Sequence, residues 1–123
     1  MRSADVIIIG GGPAGSSCAW RLKQQGVVCL ILDKESFPRH KLCAGWITPE
    51  VVEDLDIDIA AYPHRFLTFE KLLFNFPVLG LRPLTRQHSI RRYEFDAWLL
   101  ERSGAPVARH TVRAIRREGH EYI

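Results

Sequence analysis

Hydrophobic and polar positions set out a short apolar run, an amphipathic stretch and a second apolar run, then a long irregular region before periodicity returns. Val6 to Ile9 are β-branched without a polar break, which predicts a strand covered on both faces, as in a parallel sheet. The run ends in Gly10-Gly11-Gly12-Pro13-Ala14-Gly15, and helical spacing follows it. Cys18, Ala19 and Leu22 fall on one face of that helix, Arg21, Lys23 and Gln24 on the other, and Gly26 reads as its stop. Val27 to Leu32 supply a second apolar strand, closed by Asp33.

Beyond Asp33 the regular pattern fails. Lys34 to Trp46 contains Pro38, Gly45 and many polar residues, and reads as a long loop. Thr48-Pro49-Glu50 combines an N-cap residue, a proline at the first helical position and an acid in the first turn, so a short helix is expected after Thr48. Phe66 to Ile90 is rich in Leu, Phe and Val and punctuated by Pro77, Gly80 and Pro83, which predicts two or three short antiparallel strands. Arg92 to Gly104 resumes helical spacing through Phe95, Trp98, Leu99 and Arg102. Pro106 to His110 then reads as a third parallel strand, and the alternation from Thr111 to Arg117, with a turn at Glu118-Gly119, as the start of an antiparallel meander. The expected architecture is α/β: a Rossmann-like domain with a three-layer arrangement around a parallel sheet, in which residues 34–90 are a loop plus a β-rich insertion. A doubly wound nucleotide domain usually needs five or six parallel strands; only two or three are found here, so residues 1–123 are expected to be the N-terminal part of a larger domain.

Strand, glycine turn and helix in that order carry a specific chemistry. Gly10, Gly12 and Gly15 stand at the G-x-G-x-x-G spacing. The first permits the turn, the second lets backbone approach a pyrophosphate, and the third allows helix and sheet to pack closely. Pro13 and Ala14 complete the helix start, where unpaired N–H groups and the macrodipole favour an anion. Asp33 lies about twenty residues further on, where a carboxylate accepts hydrogen bonds from ribose hydroxyls. Its charge opposes a ribose 2′-phosphate and so argues against NADP in this site.

Composition changes the picture little. The chain has 123 residues and a formal charge of +3, with its basic residues scattered apart from Arg91-Arg92 and Arg116-Arg117. Such pairs are solvated faces in most proteins, and no nucleic-acid partner is expected. Three irregularly spaced cysteines make neither a disulfide framework nor a zinc site and favour a reducing compartment, the cytoplasm. The N-terminal apolar run is too short for a membrane span, which leaves peripheral membrane association open. The five histidines form no His-x-x-x-His and no pairing with carboxylates that would hold a metal, so none is expected.

The glycine fingerprint, Asp33-Lys34, the stretch Pro38-Arg39-His40-Lys41-Leu42-Cys43-Ala44-Gly45 and the segment Ile90-Arg91-Arg92-Tyr93-Glu94-Phe95-Asp96-Ala97-Trp98-Leu99-Leu100 together resemble FAD-dependent oxidoreductases of the p-hydroxybenzoate hydroxylase type. Within that group the likeness is nearest to geranylgeranyl reductases. The resemblance spans nearly the whole chain but only the N-terminal third of such an enzyme. It implies FAD as cofactor, with NAD(P)H as a diffusible donor, and a small, apolar substrate. It makes Lys34, Arg39, Lys41, Cys43, Ala44 and Gly45 cofactor-binding residues, with Arg39 and Lys41 facing phosphates or the ribityl chain and the small Ala44 and Gly45 leaving room for the flavin ring, and it places Arg92 toward the FAD pyrophosphate and Val112 in backbone contact with adenine. The family's loop reads Cys-Gly-Gly, so Ala44 is a departure. Its Gly-Asp motif is absent, since no Gly-Asp dipeptide occurs in these residues.

From the residues alone, Arg39 and Lys41 are two apart and point to one side of an extended segment, suited either to phosphates or to a solvated basic loop. Cys43 reads two ways. A thiol beside a flavin can exchange electrons, and a small residue can simply fill space near the ring; no residue is assigned as catalytic. Cys18 and Cys29 are expected in the core, and Trp46, Trp98, Phe66, Phe69, Phe74 and Phe76 in the core or between domains. Two competing readings are an NAD-dependent dehydrogenase domain and a non-catalytic nucleotide-binding redox module.

Overall fold

The computed structural model describes residues 4–75, 80–81 and 84–123, leaving Phe76, Pro77 and Pro83 outside the described residues. In chain order the elements are β1 (Val6–Ile9), α1 (Pro13–Gln24), β2 (Cys29–Asp33), β3 (Trp46–Ile47), α2 (Pro49–Asp54), β4 (Leu67–Lys71), β5 (Phe74–Asn75), β6 (Gly80–Leu81), β7 (Leu84–Ser89), α3 (Arg92–Ser103), β8 (Val107–Arg109), β9 (Arg117–Glu118) and β10 (Glu121–Tyr122). They fall into two compact units, one of residues 1–39 and 96–123, the other of residues 40–95.

The first unit is built on a parallel sheet in the order β1-β2-β8. β1 and β2 pair with Val6 opposite Cys29 and Ile9 opposite Leu32, and β2 pairs with β8 through Ile31 and Val107. Parallel strands need a crossover, and α1 supplies the first. Ile8, Cys29 and Ile31 point from the sheet into a core closed by Ala19 of α1 and Leu100 of α3, with Val6, Leu22, Phe37 and Ala105 packed around it. The third parallel strand appears where the pattern puts it; the antiparallel pair comes later than expected, since residues 111–116 form no strand and β9 and β10 pair as Glu121 opposite Glu118 around a turn at Gly119-His120.

Two expectations fail in this unit. Ile7 and Ile9 are 45% and 53% exposed, so among the described residues β1 is covered on one face only. An uninterrupted β-branched run satisfies a half-buried strand as well as a fully buried one, and the run alone does not separate them. Cys18 is exposed, although Cys29 is buried as expected. The buried stripe of α1 is narrow and made of small residues, Ser16 and Ala19, which lets the helix lie close to the strands and turns Cys18 outward.

The second unit centres on a three-stranded antiparallel sheet, β3-β7-β4. Trp46 and Leu67 both register with Ser89, on opposite sides of β7, and the β4–β7 ladder shifts register between Phe69 and Lys71. β5 and β6 pair antiparallel beside it. Tyr62, Phe66 and Phe95 stack edge-on, at 5.7 Å and 6.1 Å from the Tyr62 ring. Trp46, Phe69 and Phe74 are exposed and are not core; the Trp46 indole N–H donates to Gln87 Oε1 at 2.6 Å instead. Thr48 occupies the N-cap of α2 without a side-chain cap bond. Its side chain hydrogen-bonds with the Glu50 carboxylate, which holds that group below the usual carboxylate range.

His88 on β7 is buried and shares a 3.1 Å hydrogen bond with Thr68 Oγ1. Burial, helped by the nearby Arg86 charge, pushes its imidazole below the ordinary histidine value. The unfolded chain therefore binds the proton more readily than the fold does. Stability is full above the unfolded histidine value of about 6.5 and falls as pH drops from there through the lower folded value. Urea unfolding at pH 8 and pH 5 should show the loss at pH 5, and His88→Gln, which keeps polar atoms for Thr68 and takes no proton, should reduce that difference.

Candidate functional site

In the first unit the glycine turn is assembled by bonds the fold itself makes. The Gly11 N–H donates to Asp33 Oδ2 at 2.6 Å, the Glu35 N–H donates to Asp33 Oδ1 at 2.8 Å, and the Ser16 hydroxyl donates to the Gly11 carbonyl at 2.8 Å. Asp33 is buried at the end of β2, yet a carboxylate has about four lone-pair sites, so two remain after these contacts. Gly10 takes a positive φ of 98°, and a Cβ on Gly15 would run into the Gly10 carbonyl oxygen. Helix start and strand end therefore touch backbone to backbone, the close packing expected of the third glycine.

Gly12 is the N-cap of α1, Pro13 follows at N1, and the first turn carries no acidic residue. Around Gly12 the space is open except for one group: a Cβ there would meet only Arg39 Nη2, at 3.2 Å. That guanidinium lies 4.9 Å above the Phe37 ring and 3.7 Å from Asp96 Oδ2. Ala14 is exposed on the first turn, Lys34 is exposed while its carbonyl accepts from Arg109 Nε at 3.3 Å, and Val112 is half-buried beyond β8. Asp96, Gly11 and Ser16 were not among the sequence-derived site residues. Ser16 had a signal in its position one residue past the fingerprint; Asp96 stands in the helix-start segment that carries the resemblance, but nothing in its spacing points to Arg39.

In the second unit a cleft of about 710 Å³ is lined by Lys41, Cys43, Ala44 and Arg92 together with Arg65, Arg91 and Glu94. Gly45 has a positive φ of 73°, and a Cβ on it would strike the Ile90 carbonyl, while the Ile90 N–H donates to the Gly45 carbonyl at 2.9 Å. The Cys43 sulfur accepts from the Gly45 N–H at 3.4 Å. His40 stacks on Tyr93 with ring centroids 4.8 Å apart. Four cations against one carboxylate give this cleft the charge of an anion site.

A turn open at its second glycine, a helix N-terminus, a guanidinium beside it and a buried carboxylate together fit the ADP half of a dinucleotide. The chain matches the family described as FAD dependent oxidoreductase (DAO) over residues 5–121. It belongs to that family. FAD is accordingly its cofactor, and the NAD-dependent alternative falls away. Among curated relatives it is 35% identical over 107 residues to an uncharacterized protein of Methanosarcina barkeri, covering 84% of this chain and 27% of the relative. It is 30% identical over 109 residues to geranylgeranyl diphosphate reductase of Rhodobacter capsulatus, covering 81% and 25%. Among solved structures it superposes on the myxobacterial chondrochloren halogenase CndH with a TM-score of 0.78 and 26% identity, over 94% of this chain and 31% of that one. The chain thus spans about a quarter of the length of the curated relatives it matches.

The two glycines of the turn should separate folding from binding in this FAD-dependent oxidoreductase. Gly15→Ala drives a methyl into backbone and should cost about 3 kcal/mol or more in chemical denaturation. Gly12→Ala meets only the tip of a flexible arginine and should cost about 1 kcal/mol or less, while FAD titration should show a marked loss of affinity if a diphosphate approaches the turn at this glycine.

Proposed function

We propose that this chain is the FAD-binding part of a flavoprotein reductase that saturates a carbon–carbon double bond in an apolar, isoprenoid-type molecule. The carrying observation is the assembled nucleotide turn, with Asp33 on Gly11 and Arg39 at Gly12; likeness to a geranylgeranyl diphosphate reductase over most of the chain favours reduction over oxygen chemistry. Bound FAD supplies a two-electron carrier between a soluble donor and the alkene. The protein's own part is to grip the diphosphate through the α1 N-terminus and Arg39, to accept ribose hydroxyls at Asp33, and to present Lys41, Arg92 and the small Ala44 and Gly45 to the remainder of the cofactor.

NAD(P)H is the donor in this reading, and the net change is balanced: it loses a hydride, the double bond gains that hydride and one proton from solvent, and NAD(P)⁺ leaves. An apolar substrate calls for reach into a membrane surface. No helix among the described residues is long and apolar enough to cross a membrane, and peripheral association serves the purpose. Cys43 is exposed at the cleft, and in this scheme it fills space rather than reacting.

The halogenase likeness supports a second reading, in which reduced flavin is consumed by oxygen. Anaerobic mixing separates the two. The purified full-length protein should show the visible bands of flavin, bleach with NAD(P)H, and regain colour without oxygen when an isoprenoid alkene is added. Recovery of colour only on admitting air would favour the monooxygenase or halogenase class, and absence of any turnover would favour the non-catalytic redox module.

A further inference from the structure

Arg39 stands in an unusual place. It is a cation at the N-terminus of α1, where the helix macrodipole is itself positive and where cations are disfavoured. Its side chain is 19% exposed, and the carboxylate 3.7 Å away, Asp96, is fully buried near the start of α3. No acid in the first turn of α1 offsets the local charge. A buried carboxylate has little freedom to follow a mobile partner, so the arginine is drawn to the acid and not the reverse. Phe37 closes the other side, with the guanidinium over its ring at 4.9 Å.

We infer that Asp96 is a positioning residue for cofactor binding: it holds the Arg39 guanidinium at Gly12, so that the arginine and the helix N-terminus act on the same diphosphate. A guanidinium carries five N–H donors in a planar fork. An ion pair with one carboxylate oxygen leaves most of that fork for phosphate oxygens, and Asp96 offsets the repulsion between cation and helix end before any anion arrives. Asp96 itself touches no cofactor atom in this scheme. The inference rests on the family's cofactor and is independent of which substrate is reduced.

A double-mutant cycle in the full-length protein, stripped of cofactor and titrated with FAD at rising ionic strength, tests it through flavin fluorescence. Arg39→Ala and Asp96→Asn should each weaken binding about tenfold at low salt and flatten its salt dependence, and the double variant should bind no more weakly than Arg39→Ala. Losses that multiply to about a hundredfold would overturn the inference, because Asp96 would then act without Arg39. So would an Asp96→Asn protein of lowered melting temperature with unchanged affinity and salt dependence, which would make the acid structural alone. Should Asp96→Asn fail to fold, Asp96→Glu keeps the charge and shifts it by one methylene. It should weaken FAD binding severalfold in the native background and not at all with Arg39→Ala, and an equal loss in both backgrounds would overturn the proposal.

Discussion

A single short hydrogen bond, from the Gly11 amide to the Asp33 carboxylate at 2.6 Å, ties the first strand–helix turn to the end of the second strand. Without it the turn would be a flexible run of three glycines, each with more backbone entropy to lose than any other residue. The Ser16 hydroxyl takes the Gly11 carbonyl from the helix side, so both backbone groups of the central glycine are committed inside the protein. The first turn of α1 nevertheless keeps amides at Ala14 and Gly15 that have no intrahelical acceptor. The fold thus fixes the shape of the turn with one set of donors and leaves another set for an anion, which is preorganisation in a concrete form.

What could be read from the residues is what local rules decide. A β-branched run ending in spaced glycines places β1, the turn and the start of α1, because no other residue tolerates the Gly10 conformation or the Gly15 contact. Periodicity and a terminal glycine placed α3 and its end at Gly104, and β8 after it. Features set by distant partners were hidden. Asp96 is one residue of the resembling helix segment, and its burial beside Arg39 shows only in the fold; Cys18 looks like core until the helix is seen to use Ser16 and Ala19. In the second unit, the pairing of both Trp46 and Leu67 with Ser89 depends on which edge of β7 each strand finds, and no spacing rule encodes that.

The sequence-derived cofactor residues therefore sort into two groups by how they are held. Gly10, Gly12, Gly15, Asp33 and Arg39 belong to the first unit: Gly10 and Gly15 meet backbone to backbone, Asp33 accepts from Gly11 between the glycines, and the Arg39 guanidinium stands beside Gly12. Lys41, Cys43, Ala44 and Arg92 belong to the second and share the wall of one basic cleft. The first group is specified by shape, the second mostly by charge. Shape tolerates little substitution, as at Gly15, where a Cβ would run into the Gly10 carbonyl, and charge tolerates more.

Ala44 shows how far that tolerance reaches. The loop it belongs to is pinned by its neighbour: Gly45, at a φ of 73°, presses against the Ile90 carbonyl and accepts from the Ile90 N–H, at the junction that leads directly into Arg91 and Arg92. The same contact that places the small-residue loop therefore places the arginines, and a substitution at Gly45 disturbs both. Ala44 takes no part in that contact and is exposed on the cleft wall. Its methyl stands clear of the Gly45–Ile90 contact, so it alters the surface of the cleft and not the contact that pins the loop.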